Sequence, residues 1–403
     1  MGPAWLAFAP SMTDPLSTSA RTRQADLAEV ATLFLKLGLI AFGGPAAHVA
    51  LMREEVVRRR RWVTEQQFLD LLGASNLIPG PTSTELAIYL GYTRAGPPGL
   101  LIAGGLFILP AMLIVLAFAW AYVNFGTTPQ ASALLYGVKP VIIAVIVQAI
   151  YGLLRAAVRR VLLGAVVVLT LVVYALGLDP LVPLFGLSLL VVLIENRHRL
   201  ARHGGPQAPT TMPAFAYVAP FAAAAAAYSL GTLFFTFLKI GATLYGSGYV
   251  LLAFLREDFV QRLGWLTDQQ IVDAVAVGQF TPGPVFTTAT FIGYLVGGLP
   301  GALVATVAVF LPSFVFVAVV YPFVPRLRQS PWTSAFLDGA NAAAVGLMIA
   351  VTWQLGVTSI VDILTAAVAL VAAVLLIRFK VNSVWLVLGG AVIGYTWRQL
   401  AFA

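Results

Sequence analysis

The chain contains no cysteine. That excludes a disulfide framework, a Cys-ligated zinc and a thiol nucleophile. Charge is scarce too: only 10% of the 403 residues are Asp, Glu, Lys or Arg, against about 25% in a soluble domain. There are three histidines, and no cluster of His and acids at ligand spacing, so no metal site is expected. No Gly-rich loop ending in Lys-Ser/Thr occurs, which excludes P-loop use of ATP by this chain. No nucleophile elbow occurs either, so an enzyme is not expected. Short strands of alternating hydrophobicity, the mark of an outer-membrane barrel, are missing as well.

What is abundant is apolar: 60% of the residues are hydrophobic. Long apolar runs recur, at 99–120, 140–154, 162–176, 181–194 and 363–377. With its flanks each is long enough to cross a hydrocarbon core of ~30 Å. The chain reads as an all-α polytopic membrane protein, multi-pass in the inner (plasma) membrane, with the lipid bilayer as its environment and no cofactor. The net charge of +8 points to loops that fix topology under the positive-inside rule, and not to nucleic acid. Residues 1–24 lack a basic start followed by an apolar core, so a cytoplasmic tail is expected there, not a cleaved signal.

The chain is written twice. "FLKLGLIAFGGPAAHVALMREEVVRRRRWVTEQQFLD" from Phe34 aligns without a gap with "FLKIGATLYGSGYVLLAFLREDFVQRLGWLTDQQIVD" from Phe237. Lys36 matches Lys239, Trp62 matches Trp265, and Asp70 matches Asp273. "NLIPGPTST" from Asn76 recurs as "QFTPGPVFT" from Gln279. After a one-residue slip, Gly91 pairs with Gly293, Pro110 with Pro312 and Lys139 with Asn341. The expected domains are a first copy at 25–196, a cytoplasmic linker plus one extra transmembrane helix at 197–230, and a second copy at 231–403. About thirteen hydrophobic segments result: six, one and six. One extra crossing turns the second copy over, and inverted-topology repeats are typical of secondary transporters.

Loop charges support inversion. Arg155, Arg159, Arg160, Arg197, Arg199, Arg202, Arg326, Arg328, Arg378 and Lys380 all fall inside only if the second copy is inverted. The cluster Arg58–Arg61 also belongs inside. That requires 27–52, and then 68–92, to dip into the membrane and return, unless they are kinked crossings with a basic loop outside. Each carries helix breakers in mid-run, "FGGP" at Phe42 and "PGP" at Pro79.

A break inside a bilayer frees backbone groups that cost several kcal/mol unless partnered, so it survives only in protein or beside water. Each break also opens a half-helix N-terminus with free N–H groups, suited to an anion. The candidate binding residues are therefore Phe42, Gly43, Gly44, Pro79, Gly80, Pro81, Thr82, Ser83 and Thr84 in the first copy. Gly246, Gly283, Pro284, Thr287 and Thr288 match them in the second. Asn76 and Gln279 add amides at matching positions. Lys36 and Lys239 read either as a paired cationic site or as interfacial lysines that snorkel. Glu85 reads as a proton-coupling group or as a cap of the half-helix, and His48 as a proton relay or a satisfied structural group. Arg53-Glu54 and Arg256-Glu257 read as interfacial ion pairs. Thr64 and Thr267 read as N-caps of amphipathic helices.

The paired "FGGP … WVTEQQFLD … IPGPTST" and "YGSG … WLTDQQIVD … TPGPVFT" resemble the long-chain, two-domain type of the chromate ion transporter superfamily. The resemblance spans nearly the whole chain. It departs at Ser247 and Gly248, where the first copy has Gly44 and Pro45. It implies export of chromate from the cytoplasm, driven by membrane potential or a proton gradient, and chromate resistance. Sulfate, an equally tetrahedral dianion, is the alternative substrate, other oxyanions follow, and an anion channel is the alternative mechanism. A homodimer is compatible with this reading.

Overall fold

Glycine and proline, more than apolar patterning, decide where these helices stop and turn. The computed structural model describes residues 15–42, 44–126, 128–202, 228–245, 248–321 and 331–402. All regular structure among them is helical. The first copy holds α1 (Pro15–Ile40), α2 (Gly44–Arg53), α3 (Glu65–Ser75), α4 (Thr82–Phe125), α5 (Pro129–Ala157), α6 (Val161–Ala175) and α7 (Ser188–Arg202). The second holds α8 (Leu230–Thr243), α9 (Leu251–Leu255), α10 (Asp268–Phe280), α11 (Thr288–Val320), α12 (Pro331–Ser359), α13 (Ile363–Phe379) and α14 (Ser383–Phe402). Gly43, Gly246, Arg326, Arg328 and most of the expected extra crossing lie outside the described residues.

Four helical runs, Thr82–Phe125, Pro129–Ala157, Val285–Val320 and Pro331–Ser359, are long and apolar enough to cross a membrane. Two of these are hairpins. At Ala95 and Gly96 the backbone leaves the helix, with Gly96 at φ 66° and ψ −155°. Gly297 and Gly298 repeat the turn, with Gly298 at φ 60° and ψ −151°. Only glycine occupies that region cheaply. Pro97 and Pro98 then open the returning half, where a missing N–H costs nothing. A Cβ placed on Gly91 would collide with Ala103 Cβ and Gly99 O, and Thr290 bonds Thr306 at 2.7 Å. Residues that far apart in sequence would be at least ~12 Å apart along one straight helix. The first arm of α4 is thus too short for a ~30 Å core at about 1.5 Å per residue.

Side-chain contacts show where the short helices begin and end. Arg60 bonds Glu29 at 2.9 Å, and Arg94 bonds both Asp26 (2.7 Å) and Glu29 (2.9 Å). Both guanidinium groups lie over the ring of Trp62, at 5.9 and 5.7 Å. Residues 26, 60 and 94 therefore meet at one end of the molecule. The chain leaves that end and comes back to it twice, first through α1 and α2, then through α3 and the first arm of α4. In the second copy Tyr228 meets Trp265 (ring centroids 5.6 Å apart) and closes over Gly297. Trp265 is the mate of Trp62, and Tyr228 and Gly297 match Ala25 and Ala95, the neighbours of Asp26 and Arg94. The second arm of α11 starts at this Trp265 end. It finishes at the Trp62 end, where Tyr321 stacks on Tyr92 at 4.3 Å. Arg53 and Arg256 do not pair with their neighbours Glu54 and Glu257, as their adjacency suggests. They reach Glu65 (2.6 Å) and Asp268 (2.7 Å), the first residues of α3 and α10. Thr64 and Thr267 cap α3 and α10 in capping boxes with Gln67 and Gln270.

Two layers result. α1, α4, α8 and α11 pack on one another, while α5, α6, α7, α12, α13 and α14 form a second group. Within it Gly137 sits against Gly390 and Gly394, where any Cβ would strike backbone.

The hairpin makes a sharp prediction. Gly91→Val should destabilise the purified protein by ~1–3 kcal/mol or more through overpacking. Gly105→Val lies on the same helix with nothing within 4 Å of a Cβ and should change stability by less than about 0.5 kcal/mol. Thermal unfolding in detergent reads the difference. Equal losses would mean that the two arms do not touch.

Candidate functional site

The site begins with two glycine N–H groups. Gly80 has φ +137° and Gly283 has φ +92°, both in the region that disfavours a side chain. Gly80 donates to Leu244 O at 2.8 Å, and Gly283 donates to Ala41 O at 2.9 Å. Ala41 and Leu244 are themselves matching residues, the C-terminal ends of α1 and α8. Each break is thus tied to the other copy's first helix. A Cβ on Gly80 would collide with Glu85 Oε1 and lie 2.7 Å from Ser313 Oγ; one on Gly283 would lie 2.8 Å from Ala111 Cβ. Ser313 and Ala111 match as well, so the reciprocity extends to side chains.

A cavity of about 830 Å³ opens on this junction, between the two helix layers. Its floor is Gly80, Pro81, Thr82 and Ser83 of the first break, with Pro284, Val285 and Phe286 of the second. Leu72 of α3 and Asn76, which follows that helix, line one wall; Asn341, Ala344 and Met348 of α12 line another. Gln148 projects from α5, and the exposed Arg159 stands at the rim with Asp338. The lining thus holds neutral donors at depth and charge only at the mouth. α4 begins at Thr82 after Pro81, so its first N–H groups have no partner within the helix and its positive dipole end faces the floor.

Several sequence candidates converge here and several do not. Asn76, Gly80, Pro81, Thr82, Ser83 and Pro284 line the cavity. Pro79, Thr84 and Gly283 are buried just behind it. Thr287 and Thr288 spend their hydroxyls on Pro284 O and Val285 O, each at 2.8 Å. Gln279 is half-buried at the end of α10 and is not part of the lining, while Phe42 is 40% exposed and Gly44 opens α2 at φ +79°. Lys36 pairs with Glu55 at 2.9 Å, and Lys239 with Asp258 at 2.5 Å. Glu55 and Asp258 occupy matching positions, so each lysine has its own carboxylate away from the cavity. Gln148 and Asn341 were missed. Their signal was present: each is a lone amide in an apolar run, and Asn341 is the mate of Lys139.

Two buried groups adjoin the floor. His48, 1% exposed, contacts Ala41 O through Nε2 (3.0 Å) and Ser83 Oγ through Nδ1 (3.2 Å). A carbonyl only accepts, so Nε2 carries the proton, and in the neutral ring Nδ1 accepts from Ser83. Glu85 is fully buried; Ser313 Oγ donates to its Oε1 at 3.3 Å. Its Oε2 has no hydrogen-bond partner among the described residues.

A duplicated helical membrane chain with a donor-lined cavity at paired helix breaks has the build of a solute transporter. The chain belongs to the chromate transporter family, which matches it over residues 28–194 and again over 231–395. It is 38% identical to the chromate transport protein of Cupriavidus metallidurans over 91% of this chain and 92% of that one. It is 34% identical to the probable chromate transport protein of Synechococcus elongatus over 86% and 89% of the two chains. It is 32% identical to the chromate transport protein of Pseudomonas aeruginosa over 96% and 97%. No solved structure matches it significantly.

The lysine geometry separates two variants. Lys239→Met leaves Asp258, 1% exposed, with Arg262 at 3.1 Å as its remaining ion-pair partner among the described residues, and should cost ~1–3 kcal/mol of stability. Lys36, whose side chain is 48% exposed, should lose under ~1 kcal/mol on the same change. Differential scanning in detergent checks the order. A larger loss at Lys36 would show that its ion pair, not that of Lys239, anchors the fold.

Proposed function

We propose that this chain is a secondary active transporter that exports chromate from the cytoplasm across the inner membrane, and so confers chromate resistance. The observation that carries the reading is the large cavity, whose floor is built from both helix breaks and presents N–H, hydroxyl and amide donors. Chromate is a tetrahedral dianion, and such groups ligate its oxygens. Two copies inverted across the bilayer fit the opposed Trp62 and Trp265 ends. The Trp62 end, with its arginines, is then cytoplasmic, and the cavity with Arg159 at its rim opens to the same side. Outward movement of a dianion is favoured by an inside-negative potential, by about 4.6 kcal/mol per 100 mV for two charges. Membrane potential alone can therefore drive export.

Protons enter through His48. With a neutral ring, the Ser83 proton points at Nδ1 and only its oxygen lone pairs face an anion. With both nitrogens protonated, Nδ1–H donates to Ser83 Oγ, and the Ser83 hydroxyl is released to donate into the cavity. Glu85 lies two residues on; its ionised form would repel the dianion across Gly80. Protonation at this cluster and anion binding therefore favour each other.

Chromate binding to the purified protein tests the site. Thr82→Val and Asn76→Leu should each weaken it by ~1–3 kcal/mol, about 5- to 150-fold, and Ser83→Ala should do so at low pH, where the protonated His48 releases the Ser83 hydroxyl. Affinity should rise as pH falls in the wild type. His48→Ala and Ser83→Ala should each flatten that slope. Wild-type affinity in all three cavity variants would place the substrate elsewhere. Sulfate competition in the same titration ranks the two oxyanions. Potential-driven chromate flux in proteoliposomes, at rates within a carrier's range, separates carrier from channel.

A further inference from the structure

A second cavity, of about 380 Å³, lies among Tyr122, Gly126, Ser132, Tyr136 and Lys139 of the first copy and Asp273, Thr358, Ser359, Val361 and Arg398 of the second. Its lining repeats that of the large cavity at matching positions. Tyr136 and Lys139 match Asp338 and Asn341. Thr358, Ser359 and Val361 match Ala156, Ala157 and Arg159. The two cavities are therefore mates under the duplication, but they differ in state. In the small one α10 packs against α5. Lys139 Nζ lies 3.3 Å from Asp273 Oδ1, and Tyr122 donates to Oδ2 at 2.9 Å. In the large one the corresponding helices, α3 and α12, stand on opposite walls. Asp70, the mate of Asp273, accepts from Gln66 at 3.0 Å, and Asn341 faces the cavity.

The chemistry differs as well. The mate of the neutral Asn341 is an ammonium, and a second cation, Arg398, lies over the Tyr136 ring at 5.5 Å. The carboxylates nearby are Asp273 on the floor and Asp362, which accepts from Tyr136. The rim is open, with Val361 65% exposed, and the floor is closed, with Asp273 1% and Ser359 4% exposed.

We propose that this cavity is a second binding site for a tetrahedral oxyanion, the vestibule on the face opposite the large cavity, with Lys139 as its ligand. Asp273 and the anion compete for one ammonium. While Lys139 holds Asp273, α5 and α10 are clamped and the vestibule is shut at its floor. When Lys139 turns to the anion, the clamp between the copies loosens. The placement on the opposite face rests on the transport reading; the binding chemistry does not.

The chain lacks cysteine, so Thr358→Cys at the exposed rim is a single label site. The experiment measures how sodium chromate or sodium sulfate, at matched ionic strength, slows its reaction with a charged maleimide in the full-length purified protein. Protection by either oxyanion is expected. Lys139→Asn should raise the protecting concentration at least tenfold, and Lys139→Arg should hold it within about threefold. Asp273→Asn should lower it, because the ammonium is released. No protection in the wild type overturns the proposal. So do equal protection in Lys139→Asn, or a loss in Asp273→Asn that copies Lys139→Asn. If Lys139→Asn does not fold, the fall required of Asp273→Asn, beside the near-constant value required of Lys139→Arg, decides. Equilibrium binding at the large cavity is read separately through Thr82→Val, Ser83→Ala and Asn76→Leu. Wild-type affinity in all three removes the transport reading and leaves the second site standing.

Discussion

Two backbone hydrogen bonds hold the centre of this protein together: Gly80 N–H to Leu244 O and Gly283 N–H to Ala41 O. Each joins the broken helix of one copy to the first helix of the other. In a bilayer interior a freed N–H finds no water, so an unmade bond there costs several kcal/mol. The reciprocal pairing meets that demand without filling the break with side chains. It also holds the ends of α1 and α8 close to the two breaks, and the cavity lies over this junction. Because both donors are glycines at positive φ, the backbone itself forms the floor.

The same carbonyl that receives Gly283 also receives His48, whose other nitrogen touches Ser83. A short polar chain thus runs from the second copy's break, through a buried imidazole, to a hydroxyl on the cavity floor. The second copy has no such chain, since its residue matching His48 is Leu251. Glu85 is likewise unmatched: it faces Ser313, while its mate Thr288 spends its hydroxyl on Val285 O. The duplication supplies a symmetric frame of backbone contacts. The buried imidazole and carboxylate at its centre belong to the first copy.

Paired ions follow the opposite rule. Lys36–Glu55 matches Lys239–Asp258, and Arg53–Glu65 matches Arg256–Asp268. These contacts sit where the short helices bend, and they keep the charges of an otherwise apolar chain neutralised in place. Symmetry is kept where the frame needs it. It is dropped at Lys139 against Asn341, where the two cavities differ.

Helical membrane character, the duplication, the four break positions and the capping threonines were all legible in the sequence, because each rests on local rules. Apolar runs must cross or dip, proline and glycine must break a helix, and a threonine three residues before a glutamine can close a capping box. Family membership was legible for the same reason: its motifs are the breaks themselves. Which polar residues meet was decided only by tertiary structure. The lysines paired with carboxylates nineteen residues away, and the arginines skipped their neighbours for the next helix. The long run from Thr82 folded on itself at Gly96. Asn341 and Gln148 joined Ser83 at one cavity across more than half the chain. Such contacts depend on how helices from two copies are laid against each other. No window of sequence contains that geometry, because in an apolar chain many faces are equally greasy and only packing selects among them.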